Sequence, residues 1–242
     1  MADDPIAYLV EPGEPEASVS QGFANPLDVF NYLSPSAWIN GAITALTGFD
    51  VIEWMSEPIS GNWAAMWKFG DALANLAKFH TSLGGHIIDQ AANLDPAWHG
   101  NAADAAHQYF AHLAIAVSGQ QAPLNDIADR YHQAARGAWQ TANQLGNLYQ
   151  AIADRVIIAG VAAAAGSALA ETGVGAVIGY GVAALMVVDI LEKINKASTV
   201  IQTFGTLIFG LFGLGIDAGN VGDGGALDKY PLPAGAYADP GV

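Results

Sequence analysis

The chain has 242 residues, of which 52% are hydrophobic and only 13% charged, and its formal net charge is −15 with eight Lys and Arg in all. So few basic residues exclude a nucleic-acid partner, because binding phosphates requires Lys and Arg to displace counterions. The absence of cysteine excludes disulfides, Cys-ligated metals and Cys nucleophiles. A chain this apolar buries its surplus surface either in a protein partner or in a membrane.

Residues 1–25 are acidic, carry Pro5, Pro12 and Pro15, and are expected to form a flexible arm. The opening residues lack the basic and apolar regions of a cleaved leader. The expectation is a cytoplasmic protein, or one that leaves by a leaderless route. Ser34-Pro35 reads as a helix start, with Ser as cap and Pro at the first helical position. Trp38, Ile39, Ile43 and Leu46 follow at helical spacing, and Gly48 ends the run. A short helix from Val51 to Met55 stops before Pro58.

From about Trp63 to Leu94 an apolar stripe steps by three and four: Met66, Phe69, Leu73, Leu76, His80, Leu83, Ile87 and Leu94. This heptad-like spacing predicts one long helix, which Gly84-Gly85 weakens by about 1 kcal/mol per Gly. Asp95-Pro96 breaks it. Asn101 is expected to cap the next helix, with Asp104 three residues later favouring its positive end. Ala106, Tyr109, Leu113 and Ala116 share a face there. After Gly119 and a kink or interruption at Pro123, the stripe resumes at Leu124, Ile127, Tyr131, Ala134, Ala138 and Leu145. Two striped helices joined by a short turn predict an antiparallel hairpin. Its stripes need a third layer, from neighbouring helices or from a partner.

Trp98-His99-Gly100 lies in the predicted turn. Composition alone gives roughly 0.7 chance occurrences of Trp-X-Gly, so its placement carries the weight. An indole packs across the open end of such a hairpin, and Gly permits the backbone angle a tight reversal needs. Fully buried, that ring would contribute about 3–5 kcal/mol.

With Ser34-Pro35-Ser36-Ala37-Trp38, Gly61-Asn62-Trp63, Trp98-His99-Gly100-Asn101-Ala102-Ala103-Asp104 and Tyr109-Phe110, the stretch from about Pro26 to Phe204 resembles the Trp-X-Gly helical hairpins exported by type VII secretion systems in actinobacteria. It is similar to the amino-terminal region of the longer members, which serve as delivery modules for toxins. The resemblance implies a secreted or cell-surface protein and a second Trp-X-Gly chain, or a second copy, on the exposed stripe. It departs from the family at the Tyr-x-x-x-Asp/Glu export signal: four positions after Tyr149 stands Ala153, and Asp154 comes one place late.

Val156 to Ala170 is apolar apart from Ser167, and Val174 to Val188 is uncharged. Each run is shorter than the ~20 residues of a spanning helix. Two readings stay open. One is a Gly/Ala-rich helical pair inside a soluble bundle. The other is a membrane-inserting or pore-forming segment marked by Val174, Gly175, Gly179 and Val188, in which small residues let helices approach closely. Residues 217–242, rich in Gly, Pro and Asp, are expected to be a disordered tail, too short for an enzyme domain.

The histidine spacings do not stack two ligands on one helix face, so no metal is expected; His80 is read as a satisfied core histidine and His99 as solvent-facing. No phosphate loop, nucleophile elbow or His-Glu-x-x-His appears. Asp126, Asp129, Arg130 and His132 read as a solvated charged face. The expectation is an all-α, non-enzymatic protein without cofactor. It comprises an arm (1–25), a lead-in and hairpin (26–155), an apolar helical segment (156–216) and a tail (217–242). Met66, Phe69, Leu73, Leu76, Leu124, Ile127 and Tyr131 are its expected packing residues.

Overall fold

The computed structural model describes residues 3–24, 36–94, 96–168 and 174–213. The Ser34-Pro35 start, Asp95, the Glu171-Thr172-Gly173 interruption and the tail from residue 217 lie outside the described residues. The protein is all-α, with no strand among the described residues. Two short 3-10 turns, Pro5–Tyr8 and Ser20–Phe23, precede the helices. The helices are α1 (Ser36–Thr47), α2 (Val51–Ser56), α3 (Trp63–Leu94), α4 (Asn101–Ser118), α5 (Gln121–Ala168) and α6 (Val174–Gly213).

Local chemistry sets most of these ends. Gly48, at φ +83°, closes α1 in the left-handed conformation that glycine takes without penalty. The Asp50 carboxylate accepts from the Glu53 N–H at 3.0 Å and caps α2. Pro58 then sits in a 3-10 turn, Glu57–Ile59. Pro123 does not kink a helix. The interruption falls at Gly119-Gln120, and Pro123 lies in the first turn of α5, where a missing N–H costs no helical bond. Asn101 does not cap α4 either. Gly100, at φ +103°, holds the cap position without a side-chain bond, and Asp104 lies in the first turn.

The chain forms two compact units. The first takes its described residues from Met1–Pro15, Ala64–Ala134 and Phe209–Val242; the second takes them from Glu16–Trp63 and Ala135–Ile208.

In the first unit, neighbours descend along α4 and α5 as numbers rise along α3. A Cβ at Gly70 would lie 3.0 Å from the Ala128 carbonyl, and one at Gly84 only 2.8 Å from the Ala114 carbonyl. Gly70, Ala77, Gly84 and Ala91, seven apart, are all buried. Opposite Gly84 and Gly70 lie Ala114 and Ala128, both buried; Ala116 and Ala134 on the same helices are buried as well. The seam is thus built of glycine and alanine, and it runs one position beside the stripe of large residues. Met66, Leu73, Leu76 and Ile127 flank it half-buried, and Leu124 is buried. The N-terminal segment meets α3 through Lys68–Glu14, Ser82 to the Asp3 carbonyl, and Asn75 to the Val10 carbonyl at 3.4 Å.

The second unit holds the large buried side chains. Ile43, Val51, Met55, Ile59, Leu145, Ile152 and Ile190 are all fully buried there. The Trp63 indole N–H donates to the Ile59 carbonyl at 3.0 Å, so its ring fills the core with its polar atom satisfied. Helix α5 passes residue 155 unbroken to Ala168. Asp189 on α6 is gripped by Lys193, at 2.7 Å, and by Arg155 of α5. Hydrogen bonds from Lys193 first and Arg155 second hold its carboxyl below the usual carboxylate range. A depressed native pKa gives stability that is full above the unfolded value, about 3.9, and is lost as pH falls through the native value. Acid titration of the wild type and Asp189→Asn, followed by circular dichroism, should therefore show their stabilities converging below about pH 4. A constant gap down to pH 2 would refute the linkage.

Candidate functional site

The described segment between α3 and α4 is held by few groups. The Leu94 carbonyl accepts from both Ala97 N–H and Trp98 N–H at 3.1 Å, which closes the end of α3. Gly100 adopts its positive φ, and its carbonyl accepts from Asp104 N–H at 3.0 Å to begin α4. His99 is exposed. The Trp98 ring is not buried: it is 42% exposed and rests beside Ala91, Leu94, Ala103, Ala106, His107 and Phe110. The expected loss in Trp98→Ala falls accordingly, to about 1–2 kcal/mol. A thermal melt of that variant checks it.

Next to the ring runs an apolar groove of about 310 Å³, lined by Leu83, His86, Ile87, Gln90, Leu94, Phe110 and Leu113 with Ala91 at its floor. The close approach at Gly84 produces it. Small residues on the seam let the backbones come together, and the large side chains splay to either side. Ile88, Leu94 and Ile115 are each about half exposed. Within the first unit no buried apolar side chain among the described residues is larger than Leu124. Apart from Leu124, its described large apolar groups are half-buried or exposed.

At the other end of this unit Phe69 is half exposed but meets Tyr131 edge-on, with centroids 4.7 Å apart, and Tyr131 meets Phe212 at 5.4 Å. Sequence spacing does not reveal Phe212, which lies 81 residues after Tyr131. The predicted charged face is also more than solvated. Arg130 pairs with Asp126 at 2.8 Å and donates to the Leu211 carbonyl at 2.8 Å. His132 stacks on Trp67 at 4.1 Å and meets Asp71 at 3.0 Å. Gly70 makes room for that imidazole, since a Cβ there would lie 2.6 Å from Nε2. Asp126 and Asp129 keep the expected exposure. The Arg130–Leu211 bond ties α5 to α6 and the His132 contacts tie α5 to α3, whereas Arg130–Asp126 lies within α5.

His80 is half-buried, but it is not the satisfied core histidine that its stripe position implied. Its Nδ1 is buried without a hydrogen-bond partner among the described residues, and burial pushes its pKa down. The described residues contain no group of three His, Asp and Glu able to hold a metal ion.

The apolar residues of the second unit separate clearly. Gly179 is buried against Gly166, and Val188 is exposed. The side-chain surroundings of Val174 and Gly175 lie outside the described residues. A search for relatives finds no matching family model, no similar curated protein and no similar solved structure.

Proposed function

We propose that this chain is an exported interaction module of the Trp-X-Gly type, in which α3 and α4 form a hairpin around Trp98 and Gly100 and receive a helical protein partner. The observation that carries this reading is the small-residue seam of the first unit. Pairing through Gly70, Ala77, Gly84 and Ala91 leaves Ile87, Leu94, Trp98 and Phe110 along an open groove. An amphipathic helix with apolar anchors at i, i+3 and i+7 fills such a groove. The partner is a small Trp-X-Gly chain or a second copy. The activity is binding and delivery rather than catalysis. Supporting the family reading are the spacing of the motifs and the positive φ at Gly100.

The test is co-expression with the small Trp-X-Gly proteins of the same genome. A stable complex with one of them is expected. Ile87→Asp should abolish it while leaving helicity intact, because a charge in a desolvated apolar contact costs several kcal/mol. If no such protein binds, or if Ile87→Asp binds as well as wild type, the groove is not the docking face.

A further inference from the structure

Helices α5 and α6 of the second unit run side by side beyond the Arg155–Asp189 pair. They touch where a Cβ at Gly179 would lie 2.6 Å from the Gly166 nitrogen and 2.7 Å from the Ala162 carbonyl. This is backbone-to-backbone contact. It leaves the larger residues of both helices pointing elsewhere. Ile158, Val161, Val177, Ile178, Leu185 and Val188 are all at least two-fifths exposed, with Val177 at 75% and Leu185 at 66%.

At about 100° per residue, the exposed apolar arc on α5 is centred roughly 130° from Gly166. That on α6 is centred roughly 140° from Gly179. Because the two helices run in opposite senses, these offsets place both arcs on the same side of the pair. Gly160 and Ser167, on the other side of α5, carry little apolar bulk.

We infer that this two-helix face docks flat into the interface of a lipid bilayer, without crossing it. Three features choose lipid and this pose. The six named residues are aliphatic, where protein interfaces use aromatic and Arg anchors. Asp189, about 20° from Ile178 around α6, closes the face at one end and is held by Arg155 and Lys193. Tyr180, 52% exposed, lies on the other side of α6. The stretch containing α5 is apolar and long enough to be a candidate span, and most of its apolar window is unburied. The uncharged run from Val156 to Ala168, however, extends only about 20 Å at 1.5 Å per residue, against about 30 Å of hydrocarbon. Lying flat, the pair buries its apolar face and keeps the Asp189–Lys193 pair at headgroup level. With a net charge of −15, the protein gains no attraction to anionic headgroups. Neutral phosphatidylcholine is the preferred surface.

This inference does not depend on the Trp-X-Gly partner, since the two faces belong to different units. The experiment is flotation of the full chain with phosphatidylcholine vesicles, followed by a depth measurement. The wild type should float, and should float less with phosphatidylglycerol vesicles at low salt. Val177→Asp with Leu185→Asp should stay at the bottom with unchanged circular dichroism, both sites being exposed. The chain has no cysteine, so Val161→Cys and Ser167→Cys can each carry one environment-sensitive fluorophore. Nitroxide lipids should quench the label at 161 and spare that at 167. Quenching of both labels would overturn the flat pose. A wild type that fails to float, or that forms lipid-free oligomers dissolved by the double variant, would overturn the lipid assignment.

Discussion

Leu145→Ala is expected to lower the stability of the protein by about 2–5 kcal/mol, read as a shift in the midpoint of chemical unfolding. Leu145 is 0% exposed and sits in the middle of α5. It belongs to the unit whose described core holds most of the large buried side chains, with Ile43, Met55, Ile152 and Ile190. Removing it deletes transfer energy and leaves a cavity that long helices cannot collapse to fill. Leu185→Ala is the matched control. Leu185 has the same chemistry but is 66% exposed, so its change should stay within about 0.5 kcal/mol, while vesicle binding weakens. Equal losses at the two sites would mean that the core has been misplaced.

Two glycines separated by one residue should respond to alanine with opposite signs. Gly179→Ala is expected to destabilise by about 1–3 kcal/mol, because its new methyl meets the backbone of Gly166 and Ala162, and backbone has no rotamer by which to move away. Gly181→Ala meets nothing within 4 Å. It should stabilise by up to about 1 kcal/mol, the ordinary gain of alanine over glycine in a helix. Helix propensity contributes equally at both sites, so the difference in sign isolates the close approach. Denaturant midpoints of the two variants on either side of the wild type would establish the crossing. Stabilisation by both would show that α5 and α6 do not meet at Gly166 and Gly179.

The helices themselves were largely legible in the sequence. The span Trp63–Leu94 is predicted and observed alike, because its signals are local: a periodic stripe, then a proline after it. The short helix at Val51 and the end of α1 at Gly48 follow for the same reason. The errors lie at the caps. Asn101 resembles a cap by residue type, yet Gly100 takes the position. Its freedom at positive φ lets the chain turn directly into α4, a backbone preference that residue-type statistics do not register.

The candidate sites were legible only in part. Large apolar residues announce a stripe, and the stripe through Phe69 and Leu76 predicts the packing face. The tighter seam at Gly70, Ala77, Gly84 and Ala91 repeats just as regularly but carries no hydrophobic bulk to advertise it. The pairing of His132 with Asp71 and Trp67, and of Arg130 with the Leu211 carbonyl, joins positions some 60 and 80 residues apart. No spacing rule connects them.

The amino-acid sequence by itself determined that the chain is helical, where the helix from Trp63 stops, that its net charge is strongly acidic, and that its apolar surface exceeds what its charged residues can cover. Those properties follow from neighbours within a few positions and from composition. Only the tertiary structure decided which apolar residues are spent in the core and which remain outside. That choice depends on how closely two backbones approach, and the approach is set by the small residues of both helices at once: Gly84 against Ala114, and Gly166 against Gly179.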